Sequence, residues 1–143
     1  MLSPVLLVLA LGTLASQFAL DASTRAQKSN QESSDHTLLH GFLRTINTAE
    51  AGEFSEYGSY ASWPTLLAHQ QEYLNAWLAT YYSQEPKVHF GGLPEILPGL
   101  NLRLNAHADG RGYDVLLEDA TDKNGYAGLS DERGAIRECK WLQ

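Results

Sequence analysis

One cysteine, Cys139, in 143 residues is the first shortage that constrains this chain. A lone thiol forms no intrachain disulfide and rules out a CxxC-type zinc or redox site. The sequence places it as a small, partly buried hydrophobe near the last strand, with pairing between molecules as the alternative in an exported chain. Basic charge is scarce too: ten lysines and arginines against seventeen aspartates and glutamates leave a net charge of −7. Nucleic-acid binders carry a basic footprint, so neither DNA nor RNA is expected as a partner. There is no GxSxG elbow, no glycine-rich phosphate loop, no HExxH run and no cysteine–histidine pairing. The expectation is therefore a protein that is not an enzyme. Apolar residues are plentiful at 43%, which excludes a chain disordered by composition and leaves room for one ordinary core.

No charged side chain occurs from Met1 to Leu20, MLSPVLLVLALGTLASQFAL, and only the amino terminus supplies positive charge. The apolar run Val5 to Leu14 has the length of a signal-peptide core, and Thr13 with Ala15 offers small residues for cleavage. Uncleaved, Leu2 to Leu20 is long enough to span a bilayer as an anchor. Either way the chain is expected to be exported. Residues 21–37 are almost wholly polar and read as a helix extension or a linker.

Leu38, Leu39, Phe42, Leu43, Ile46 and Ala49 recur at helical spacing and need a partner surface. Gly58 marks the stop of that helix. A second helix is predicted from Pro64 to Tyr82, capped by Ser62, with an apolar stripe of Leu66, Leu67, Tyr73, Leu74, Trp77, Leu78 and Tyr81. Pro86 to Gly99, rich in glycine and proline, reads as loop. The period then becomes two. Leu100, Leu102, Leu104 and Ala106 alternate with polar residues, and so do Tyr113, Val115 and Leu117 after an Asp109–Gly112 turn. A last hairpin turns at Asp131–Gly134, with Gly134 at a positive-φ position. The fold class is α+β: a long N-terminal helix packed on a small antiparallel sheet, with a second helix in the connecting region. The domain plan is residues 1–20 as signal or anchor, 21–37 as extension or linker, and 38–143 as the globular domain.

Three clusters are candidates for chemistry. His36 and His40, four apart on a helix, could begin a metal site with Asp35. An isolated pair of this kind is more simply a solvated flank. Asp119, Asp122 and Asn124, ahead of Gly125, offer oxygen ligands of the kind calcium takes, but lack the EF-hand spacing. An Asx-type turn is the simpler reading. Glu50, Glu53 and Glu56 could suggest paired carboxylates. Three apart at a helix end, they read as an acidic solvated edge, with Glu50 reaching the sheet. The aromatics Tyr73, Trp77 and Tyr81 read as packing.

Leu43 to Tyr60, LRTINTAEAGEFSEYGSY, resembles the end of the first helix in bacterial type IV pilins and pseudopilins. Gly128 to Trp141, GLSDERGAIRECKW, is similar to the last hairpin of the same group. The resemblance covers roughly Ala22 to Gln143 and implies the family's long helix on a sheet. It also implies other pilin-like or secretion-system subunits as partners, and a calcium site in the late loop at Asp119, Asp122 and Asn124. No other cofactor is implied. Two departures stand out: there is no Gly-Phe leader junction, and no glutamate in the apolar run. The expected role is an exported structural or interaction protein of the cell envelope, periplasmic or extracellular. It would be a minor subunit of a type IV pilus or type II secretion-like assembly, tethered to the membrane if uncleaved, and would not build a filament by itself. The alternative is a secreted or periplasmic binding module that does not polymerise.

Overall fold

The computed structural model describes the backbone of residues 4–82, 88–122 and 125–140, and their side chains except at 4–22, 28–35 and 140. Contacts divide the chain after Asp35 into two units, residues 1–35 and 36–143. The described part of the first unit is helical throughout. The signal-or-anchor expectation for residues 1–20 concerns side chains outside the described set. Among the described residues no helix is long and apolar enough to cross a membrane.

Helix α1 runs from Pro4 to Tyr57, so the polar stretch after Leu20 is helix and not an irregular linker. Its end closes with the Gly58 N–H donating to the Phe54 carbonyl at 2.9 Å. After two short helices, the described residues form five strands: β1 (Glu95–Leu97), β2 (Leu100–Ala106), β3 (Tyr113–Asp119), β4 (Tyr126–Asp131) and β5 (Arg137–Lys140). Each pairs antiparallel with the next in chain order, which makes one meander. Short turns suffice for such neighbours, as the sequence spacing implied. The class is α+β.

The register decides which side chains meet α1. Leu102 sits opposite Leu117 and Leu104 opposite Val115, and all four point to the inner face. On α1, Leu39, Phe42, Leu43, Ile46 and Ala49 are no more than 2% exposed and join the same core. Burial of this kind is worth about 1.5–3 kcal/mol for each large apolar side chain. Gly134 has φ 71°, as its turn required. Gly134→Val should cost more than about 1 kcal/mol, because a β-branched side chain is strained there even with open space around it. Equal denaturation midpoints for parent and variant would show that the turn tolerates the strain.

Two expectations needed correction. The single helix over Pro64–Tyr82 is two: α2 (Trp63–His69) and α3 (Gln71–Tyr81), parted at Gln70 with φ −104° and ψ 23°. In one straight helix Gln70 would fall in the middle of the apolar face carrying Trp63, Leu66 and Leu74, where a polar amide is costly. At the break its amide lies where a side chain on Gly52 of α1 would make an ordinary van der Waals contact with it, so glycine there leaves the amide room. Ser62 precedes the helix in extended conformation but makes no side-chain cap bond. The second correction is β1, inside the stretch read as loop. Ile96 and Leu97 are buried, and Pro94 accepts from the Leu102 N–H at 2.7 Å. A three-residue edge strand shows no alternation that a sequence reading can detect.

Candidate functional site

The core stripe of α1 does not stop at Ala49. Continuing the spacing of Phe42, Ile46 and Ala49 carries it through Glu50 and Glu53, and both are buried, at 0% and 2% exposure. The solvated acidic edge is thereby corrected: only Glu56 is exposed. The signal was present, since the two glutamates fall in phase with the leucines. Residue type outweighed phase in the sequence reading.

Each buried carboxylate has one oxygen engaged and one without a hydrogen-bond partner. Glu50 Oε2 accepts from the Ala61 N–H at 3.0 Å, in the connection leading to α2. Glu53 Oε1 lies 2.7 Å from Nδ1 of His69, at the last residue of α2. Glu50 Oε1 and Glu53 Oε2 are buried without a partner among the described residues. Burial pushes the Glu50 carboxyl up to about 7; the Ala61 N–H opposes the shift and the nearby Glu53 charge adds to it. Tyr57 packs its ring against His69 at 4.6 Å.

Beside this pair runs a hydrogen-bonded chain that the sequence reading missed. Tyr113 Oη donates to Asn47 Oδ1 at 2.7 Å, and Asn47 Nδ2 donates to Ser130 Oγ at 2.8 Å. Ser130 Oγ in turn donates to the Ala135 carbonyl at 3.2 Å, so β3, α1, β4 and the last turn are tied together. Burial is the first cause that raises the Tyr113 phenol, and the Glu50 charge the second. No motif encodes such a chain, because its members come together only in the folded domain.

The other candidates are more open. His36 and His40 share a groove of about 340 Å³ with Thr37, Gly41, Arg44, Tyr81 and Glu138. His36 stacks on Tyr126 at 3.7 Å, so its ring serves the helix–sheet contact. Among the described residues no group of three histidine, cysteine, aspartate or glutamate side chains could hold a metal ion. Asp119 Oδ1 accepts from both the N–H and the hydroxyl of Thr121, at 2.8 and 2.6 Å, which is an Asx-type turn. Asp122 is only partly buried, and Asn124 lies outside the described residues. Trp77 packs at a tilt on Phe42 at 4.3 Å and Tyr81 at a tilt on Trp77 at 4.8 Å, while Tyr73 and Tyr81 are both exposed. Cys139 is a free, half-buried thiol in β5.

On the outer face of the sheet, Arg103, Leu116, Leu129 and Arg137 face one another across four strands and line a depression of about 320 Å³. Glu50 and Glu53 line neither cavity. Chemically, the carboxylate pair can hold or pass a proton, and the two surface depressions can take polar or mixed ligands. The chain matches no known protein family, no curated protein and no solved structure.

Proposed function

We propose that the chain is an exported, pilin-like structural or interaction protein of the bacterial cell envelope, serving as a minor subunit of a type IV pilus or type II secretion-like assembly. The observation that carries this reading is the pairing of one long helix with one antiparallel meander. Helix α1 spans Pro4 to Tyr57, and the side chains from Leu39 to Ala49 cover the inner face of strands laid down in simple chain order. That is the arrangement which the resemblance at Leu43–Tyr60 and Gly128–Trp141 implies. The apolar Met1–Leu20 supplies a segment able to pack in a bundle or a bilayer.

Co-expression with a pilus or secretion assembly system, followed by shearing of surface material, tests the role. The expected result is this chain in the sheared fraction at a small ratio to a major subunit, and its loss from that fraction without the major subunit. Filaments composed mainly of this protein would overturn the minor-subunit role. Recovery only as free protein, whether or not the machinery is present, would overturn assembly and favour a non-polymerising binding module.

A further inference from the structure

We propose that Glu50 and Glu53 form a buried proton-binding site: the pair takes up a single proton, carried on Glu50, and in that state it latches the connection to α2 against the end of α1. The inference is independent of the assembly role. Its basis is the geometry of two carboxylates three residues apart on one helical face, both removed from water. Each spends one oxygen on the segment it holds, Glu50 on the Ala61 N–H and Glu53 on His69. Each is left with one buried oxygen that has no partner among the described residues. Two ionised carboxylates in such a place repel each other and lack solvation, and both effects disfavour the second charge. A proton on Glu50 removes one of the two charges, and with it the coulombic repulsion between the two carboxylates. The step is protonation from solvent, with no other reactant.

The groups facing the pair come from every element around it. Tyr113 on β3 feels the Glu50 charge, and Tyr60, in the connection, packs on Tyr113 at 4.9 Å; His69 ends α2, with Tyr57 against it. Asp131 and Glu132, in the last turn, act on Tyr113 and add negative charge on that side. No lysine or arginine makes an ion pair with either glutamate among the described residues. His69 Nδ1 lies against Glu53 Oε1 at 2.7 Å and not against Glu50.

The sign of the pH dependence follows. Folded Glu50 keeps its proton up to about 7, against 4.5 for an ordinary glutamate. Between those values the folded chain binds one proton more than the unfolded chain. Stability is therefore full at the acid end and falls as the pH rises through that window, the unfolding constant growing by up to about tenfold per pH unit.

Carbon-detected NMR of the Glu50 side-chain carboxyl in the parent, from pH 4 to 9, reads the site directly. A midpoint above 6 is expected, and a midpoint near that of a free glutamate would overturn the proposal. Glu53→Gln removes the second charge and should lower the Glu50 midpoint; an unmoved midpoint would show that the proton is not linked to the pair. Glu50→Gln keeps an acceptor for Ala61. Its stability should match the parent's near pH 5 and exceed it at pH 8, with an unfolding constant at least tenfold smaller. Parallel profiles for the two proteins would overturn the latch. Amide exchange at Ala61, corrected for the intrinsic pH dependence, should lose protection in the parent as the pH rises and keep it in the variant. Constant protection in the parent would separate a bound proton from any latching action.

Discussion

Phe42→Ala is expected to remove about 3–5 kcal/mol of stability. Phe42 is 0% exposed and lies where three segments meet. Its ring is 4.3 Å from Trp77 of α3, 5.4 Å from Phe90 and 6.4 Å from Trp63 of α2. These rings are large and partly held by each other, so they cannot close over the space that a missing phenyl leaves. Trp63 is held further by its Nε1–H, which donates to the Gly91 carbonyl at 3.3 Å. Against a total of about 5–15 kcal/mol for a domain of this kind, the loss is a large fraction of the whole. Urea denaturation should show a lower midpoint with an unchanged slope. A loss below about 1 kcal/mol would mean that the aromatic cluster is not the joint between α1 and the connecting helices.

The second large effect tests the contact between α1 and the sheet. Gly128 lies on β4, paired with Leu117 on one side and Glu138 on the other, and a Cβ there would overlap Cδ1 of Leu43. Leu43 is 1% exposed, so its methyl cannot swing out into solvent to make room. Gly128→Val should therefore cost about 1–3 kcal/mol by overpacking. Leu43→Ala should cost about 2–5 kcal/mol by leaving a cavity. The double variant should be less damaged than the sum of the two by at least about 1 kcal/mol, because valine then fills the space that leucine vacated. Simple additivity would show that the helix and β4 do not pack through this pair.

Much of the architecture was legible from period alone. Leu39, Phe42, Leu43 and Ile46 mark a helix stripe, and Leu100 to Leu104 and Tyr113 to Leu117 mark strands, because burial on one face imposes 3.6 in one case and two in the other. Gly134 was legible for a different reason: a tight turn at positive φ selects glycine locally, whatever the rest of the chain does. The break at Gln70 was not legible. Nothing in the local sequence there forbids a helix; the conflict is between a polar amide and the apolar face on which straight continuation would place it.

The candidate site divides along the same line. The sequence by itself determined that Glu50 and Glu53 share a helical face with Ile46 and Ala49, because helix geometry fixes that from spacing. Only the tertiary structure decided that this face is covered at its acidic end. The cover comes from Ala61 and His69, 11 and 16 residues further along the chain, and from Tyr113 on β3. Desolvation, and with it the high proton affinity of Glu50, depends on what packs over a carboxylate and not on its neighbours in sequence. The Tyr113–Asn47–Ser130 chain belongs to the same class, since its first bond joins residues 66 positions apart. Spacing within one element is a local property of the chain; the partner that buries an element is set by the sum of contacts made when distant segments fold together.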